Sequence, residues 1–303
     1  MQDTLFATSE KLEDKSKKKK KTVDLPTIDS PLILGGFHID TVQLIDCLVG
    51  MAKMPDDCID IAIIDPPYNL SKGNDWKWDN SVKLPGLGGD WAKVLQQWDD
   101  MPLLDYLTFC LQWLSQVKRL VKPTGSAWIH GTYHNIGIIN FALQLLEIEI
   151  INEVVWFKRN SFPNLSGRRL TASHETILWV HTGKVRKYQF NYKKIKDNSY
   201  PEDSLKPTGK QMRTVWDIPN NKEKSELKHG KHPTQKPLRL INRLLDISAN
   251  EGQICLVPFA GSGSECVAAK LLGIHFLGFE TNEEYFEIAN KRLNSVTPDL
   301  YSL

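Results

Sequence analysis

The chain has 303 residues, 41% of them hydrophobic and 24% charged, which is enough to bury the core of one large α/β domain carrying a smaller insert. No apolar stretch approaches the roughly 18 residues of a membrane span, and the lysine-rich start lacks the apolar core of a signal peptide, so membrane and secreted classes are set aside and the cytoplasm is the expected compartment. Net charge is only +2, yet Phe157 to Lys231 holds 17 Lys+Arg against 7 Asp+Glu, an excess of +10 that leaves −8 for the rest and marks one segment as a phosphate-facing or merely solvated basic surface.

Residues 1–30 are polar and end in the run Lys15 to Lys21, which reads as a disordered basic tail without chemistry of its own. Ile33 to Ile39 is expected as a short strand, followed by a helix containing Asp46-Cys47-Leu48. Ile61 to Ile64 is a buried strand that ends abruptly in Asp65-Pro66-Pro67-Tyr68, because the prolines end ladder donation and forbid a helix. After Tyr68 the chain runs through glycines and Trp76, Trp78 and Trp91, a long loop placed to act as a lid. Leu103 to Leu120 has helical spacing and stops at Lys122-Pro123-Thr124-Gly125. Ser126 to Gly131, Ile150 to Phe157 and Glu175 to His181 read as strands, with a helix from about Ile136 to Leu146. The pattern then becomes basic, aromatic and loop-rich to about Gly230. Helical spacing returns in Leu238 to Ile247, before a closing alternation of strand Ile254–Val257, helix Ser264–Leu272, strand His275–Phe279 and helix Glu283–Leu293.

Five cysteines, Cys47, Cys58, Cys110, Cys255 and Cys266, form no close pair, which argues against a zinc site or a disulfide framework, and no metal is expected. A second motif follows the Ile254 strand. Phe259-Ala260-Gly261-Ser262-Gly263 turns into a helix, and Glu280 stands 17 residues beyond Gly263 at the end of the next strand. Strand, glycine turn, helix and distal acid together suit a nucleoside whose ribose hydroxyls bind the acid.

In combination these motifs resemble the β-class amino-methyltransferases of DNA, in which the catalytic tetrapeptide precedes the S-adenosylmethionine loop. Gly230-Lys231-His232-Pro233-Thr234-Gln235-Lys236-Pro237, Met54-Pro55-Asp56-Asp57 and Asn164-Leu165-Ser166-Gly167-Arg168-Arg169 carry the likeness further, over about residues 33–295. It is greatest to the adenine-N6 enzymes of restriction–modification systems. The resemblance implies a Rossmann-like, doubly wound, mostly parallel α/β sheet with circularly permuted motif order and an inserted target-recognition region. The expected parts are a catalytic half at 31–182, an insert at 183–230 with its recognition surface starting near 158, and a cofactor-binding half at 231–303. The closing half holds only two strands, Ile254–Val257 before the glycine loop and His275–Phe279 after it, so a third must come from Ile33 to Ile39, with Asp46 then reaching the cofactor adenine and Cys47 as its neighbour.

The implied cofactor is S-adenosylmethionine, held by Asp46, Cys47, Asp65, His232, Thr234, Gln235, Lys236, Phe259, Ala260, Gly261, Ser262, Gly263 and Glu280. The implied catalytic residues are Asp65, Pro66, Pro67 and Tyr68. The Asp65 carboxylate and Pro66 carbonyl accept hydrogen bonds from the exocyclic amine of a flipped-out base, Pro67 stiffens the turn, and Tyr68 stacks on the base. DNA contacts are expected from Lys158, Arg159, Asn160, Asn164, Ser166, Arg168 and Arg169, with Asn191 as a further reader. The implied partners are double-stranded and also single-stranded DNA and a cognate restriction endonuclease, with the chain a monomer or homodimer. Two positions depart from the family: Val257 stands where an aspartate is usual, and Ser264-Glu265 where threonine is commoner. The alternatives are an N4-cytosine or RNA amino-methyltransferase on the same scaffold, and a DNA-binding homologue with weakened catalysis.

Overall fold

A computed structural model describes residues 32–69, 101–164, 168–183, 186–220, 223–230 and 232–297. The lysine-rich tail, the tryptophan- and glycine-rich loop expected as a lid, and Ser166 lie outside these residues. In chain order the elements are β1 (Ile33–Leu34), β2 (Phe37–His38), β3 (Thr41–Leu44), α1 (Cys47–Ala52), β4 (Ile59–Ile64), α2 (Leu103–Leu120), β5 (Val121–Gly131), α3 (Ile136–Leu145), β6 (Glu149–Phe157), β7 (His174–His181), α4 (Tyr192–Asp197), β8 (Val215–Asp217), α5 (Leu238–Ser248), β9 (Ile254–Val257), α6 (Ser264–Leu271), β10 (His275–Glu280) and α7 (Glu283–Asn294).

Eight strands form one sheet in the order β3-β10-β9-β4-β5-β7-β6-β8. Only β7 runs antiparallel to its neighbours. Strand β4 shows why the sheet is covered on both sides. Ile61 and Ile63 pack with residues of α5 and α6, whereas Ala62 and Ile64 pack with residues of α2 and α3. Alternate side chains of a strand point to opposite faces, so a continuous apolar run requires two layers of helices. On the first face Trp128 and Trp179 stack at 4.9 Å between centroids and 7° between planes, and their indole N–H groups donate to Ser248 and Ser126.

The strand borrowed from the start of the chain is not Ile33 to Ile39. Gly35 and Gly36 both have positive φ and fold β1 onto β2 as a separate small hairpin. The chain restarts at Asp40, and β3 then pairs parallel to β10 through Thr41–Leu44. The segment after residue 182 is not set apart from the core either. Its strand β8 extends the sheet beside β6, and Trp216, Ile218 and Ile195 are buried with the residues of α5. Arg243 of α5, itself fully buried, is ion-paired to Glu202 and Asp203 of that segment.

Candidate active site

The strand order reverses between β9 and β4, which face each other as parallel neighbours. Both chains leave the sheet there at their carboxyl ends, β4 into Asp65-Pro66-Pro67-Tyr68 and β9 into the glycine turn. A crevice at such a switch point is where open α/β sheets bind ligands. The tetrapeptide is held from several sides. Tyr106 of α2 donates to the Pro67 carbonyl at 2.6 Å and accepts from buried Asn135 at 3.0 Å. Asn69, in the left-handed region at φ 53°, clasps the backbone of Met101 through both ends of its amide at 2.8 and 3.0 Å.

Within this frame lies a buried charge network. Asp65 accepts the Tyr68 hydroxyl at one oxygen and the Lys236 ammonium at the other, both at 2.6 Å. Lys236 also donates to the Tyr68 oxygen at 2.7 Å and the Thr234 carbonyl at 3.2 Å, which uses all three of its N–H groups. Glu175 stands 3.2 Å from the Tyr68 hydroxyl and 3.8 Å from Lys236, and its second oxygen accepts Lys158 at 2.9 Å. Burial pushes the Asp65 and Glu175 carboxyls up, but the Lys236 charge and its neighbours outweigh it and hold both below their usual range. The same carboxylates hold the buried Lys236 ammonium above its ordinary value despite burial. Burial and then the Lys236 charge bring His130, the neighbour on β5, down to about 4, so it is neutral at pH 7.

The glycine turn forms the other wall. Gly261 and Gly263 have φ of 49° and 75°, the left-handed region that side chains avoid, and a Cβ on Gly263 would lie 2.9 Å from that of Ala289. Glu280, at the end of β10, accepts the Gly261 amide at 2.7 Å and those of Thr281 and Asn282 at 2.9 and 2.7 Å. The two walls enclose a cavity of about 450 Å³, within the usual range for small-ligand sites of about 300–1,000 Å³.

All thirteen residues expected at the cofactor, and the whole tetrapeptide, are at this place in the fold, and all but Gly263 line the cavity. Gly263 instead starts α6. Asp46 caps α1 by accepting from Leu48 and Val49, with Cys47 buried beside it. Tyr68 lines the cavity at 6% exposed, with its hydroxyl in the network and the Lys236 ammonium 5.1 Å from its ring centroid.

The expected DNA residues are scattered in role. Lys158 is turned inward onto Glu175. Arg159 pairs with Asp217 at 2.7 Å, and Asn160 accepts the Asn220 amide. The Asn164 amide donates to Thr171. Arg168 and Arg169 are exposed, with Arg169 3.5 Å from the exposed Tyr133. Asn191 is no base reader here, since its amide donates to the Asp246 and Ala249 carbonyls and ties the segment to the end of α5.

Sequence reasoning missed Glu175, His130 and Arg292. Glu175 is near Asp65 because β7 runs antiparallel, so its first residues reach the edge where the parallel strands end. Arg292 of α7 is 3% exposed and donates to the Ser262 carbonyl and to the Ser262 and Ser264 hydroxyls at 2.6–3.1 Å, bracing the glycine turn from behind.

Residues 59–291 match a family model described as DNA methylase. The chain is 37% identical over 259 residues to the type II methyltransferase M2.DpnII of Streptococcus pneumoniae, covering 85% of this chain and 88% of that protein. It is 33% identical over 265 residues to the type II methyltransferase M.HinfI of Haemophilus influenzae, covering 86% and 70%. Among solved structures it resembles M1.HpyAVI in complex with SAM, at 26% identity and a TM-score of 0.56 over 84% of this chain and 98% of that one. The PvuII DNA methyltransferase, cytosine-N4-specific, shares the fold at 15% identity and a TM-score of 0.63 over 85% and 88%. With a strand-end acid, a glycine turn and a shared cavity at the switch point, and with the family model spanning most of its length, the chain belongs to the DNA methylase family.

Proposed function

We propose that the chain transfers a methyl group from S-adenosylmethionine to the exocyclic N6 amine of a flipped-out adenine in DNA, as the modification enzyme of a type II restriction system with a cognate endonuclease. The single observation that carries this reading is the common cavity of Asp65, the glycine turn and Glu280 at the carboxyl edge of the sheet. The residues present fit the cofactor. Glu280 keeps one lone pair, on the oxygen that accepts Gly261, for a ribose hydroxyl, the turn has no side chain at its two left-handed glycines, and the Lys236 ammonium beside Asp65 suits an amino-acid end of mixed charge.

Bound there, S-adenosylmethionine supplies an electrophilic methyl group on a sulfonium. The work of the chain is to orient the attacking amine and keep its lone pair available. An aromatic amine shares that lone pair with its ring, so acceptors for its hydrogens favour the pyramidal, nucleophilic form. Asp65 is such an acceptor, ionised by Lys236 and fixed in place by Tyr68. The Pro66 carbonyl is the second, on a turn held rigid by Tyr106. An aspartate at the first position of the tetrapeptide is the commoner form among adenine enzymes of the family, which favours adenine over the cytosine amine. The basic segment supplies phosphate contacts, with exposed Arg168 and Arg169 beside Leu170, 93% exposed, on the loop between β6 and β7.

Labelled cofactor incubated with DNA should place one methyl group at adenine N6 in a defined sequence, read by mapping methylated positions. Asp65→Ala should abolish incorporation. Near-normal turnover by that variant, or label on cytosine alone, would overturn the reading.

A further inference from the structure

Glu265, the second residue of α6, lines the cavity between the glycine turn and Lys236 and is 4% exposed. Among the described residues its carboxyl has no ion pair and no hydrogen bond to another residue, and the one donor it meets is its own backbone N–H. A buried carboxylate without a partner is expensive, so a counter-charge is the missing element. The neighbouring charges provide it only in part. Lys236 and Arg292 both favour the ionised form of Glu265 from a distance, but neither bonds it: Lys236 has already placed its three N–H groups, and Nη1 of Arg292 is directed at Ser262 and Ser264. Asp65 carries the same sign, the Cys255 and Cys266 thiols are held protonated by burial, and His232 faces the cavity from the opposite segment. Val257, the last residue of β9, is fully buried and apolar and brings no charge.

This inference rests on the cofactor reading above. S-adenosylmethionine carries two positive groups, a sulfonium that cannot donate a hydrogen bond and an α-ammonium that donates three. We propose that Glu265 is the acceptor for the α-ammonium of the bound cofactor, and that it makes the cavity select an amino-acid-bearing nucleoside over a bare one. Burial and the Asp65 charge bring Glu265 up to about 7, so near neutral pH about half of these carboxyls carry a proton that an arriving ammonium displaces.

The test is binding to the full-length protein by calorimetry, with S-adenosylmethionine and with methylthioadenosine, a nucleoside thioether that lacks the amino acid. Glu265→Gln should weaken the cofactor by about ten- to a hundredfold, the scale of one charge-assisted hydrogen bond, and leave methylthioadenosine within about twofold. Wild-type binding near pH 7 should also release protons with the cofactor and none with the thioether, and Glu265→Gln should lose that release. Methylthioadenosine binding doubles as the check on folding. Glu265→Ser, too small to clash, carries the same expectation if the glutamine variant does not fold. An unchanged ratio of the two affinities in a variant that binds methylthioadenosine overturns the role of Glu265 alone. A wild-type protein that does not bind S-adenosylmethionine overturns the cofactor reading and this inference with it.

Discussion

Replacing Lys236 by methionine tests whether the network is an interdependent charge cluster. The variant keeps the length and apolar stem of the side chain and removes the contacts of 2.6 Å to Asp65 and 2.7 Å to Tyr68. Lys236 is 2% exposed and Asp65 14%, so the pair belongs with buried ion pairs, for which removal of one partner destabilises by about 3–5 kcal/mol. The pH dependence has a definite sign. In the wild-type protein the carboxyls of Asp65 and Glu175 lie below their unfolded values, so their stabilisation is present above the ordinary carboxylate range and lost as pH falls through the folded values. In Lys236→Met the counter-charge is gone, burial dominates, and Asp65 rises above its unfolded value. The variant then loses stability as pH rises through that range. Urea unfolding followed by tryptophan fluorescence should give a gap of about 3–5 kcal/mol near pH 8 that narrows toward about pH 5. Adding Asp65→Asn to Lys236→Met should recover much of it, because the isolated charge is then removed. A gap below about 1 kcal/mol at pH 8, or one that does not change with pH, would refute the reasoning.

Two further outcomes follow from the same geometry. Glu175 does not line the cofactor cavity but touches Tyr68 and Lys158, so Glu175→Gln should lower kcat by about tenfold or more and leave cofactor affinity unchanged in steady-state and binding assays, a split that a purely structural loss would not produce. Gly263→Ala should destabilise by about 1–3 kcal/mol in thermal or urea unfolding and weaken cofactor binding, since φ 75° and a Cβ 2.9 Å from that of Ala289 both oppose a side chain.

How much of this was legible in the sequence depends on the range of the interaction. Strand β4, helix α2 and the alternation from α5 to α7 are set by local periodicity, and their bounds lie within a few residues of expectation. The tetrapeptide and the glycine turn announce themselves because proline and glycine constrain the backbone whatever surrounds them. The hairpin of β1 and β2 was hidden in one apolar run, since Gly35-Gly36 reads equally well as an interruption or a turn. Strand β8 has three residues and no pattern, and only its pairing with β6 makes it a strand. Glu175 and Arg292 were illegible for a deeper reason. Their partners lie 107 and 28–30 residues away, and no spacing rule spans an antiparallel return or a helix crossing behind a turn. Lys158 and Asn191 were assigned to DNA by residue type, and the structure shows both satisfied inside the protein.

The state of Asp65 decides which kind of catalyst it can be. A carboxylate held below its usual range by a buried ammonium is a weak base, so it cannot retain the proton that the methylated amine must lose. It remains a strong acceptor. Each carboxylate oxygen has two lone pairs, and the Tyr68 and Lys236 contacts fill one on each, so an amine hydrogen can be accepted without breaking the pair that keeps Asp65 ionised. Neutral His130, at about 4, is equally unsuited to hold a proton near pH 7. On the proposed function the site therefore serves to fix the direction of a lone pair, with proton loss left to follow transfer. On this reasoning Asp65→Asn, which keeps the shape and one acceptor oxygen but can also present N–H groups to the amine, is a more damaging change to orientation than its small size suggests.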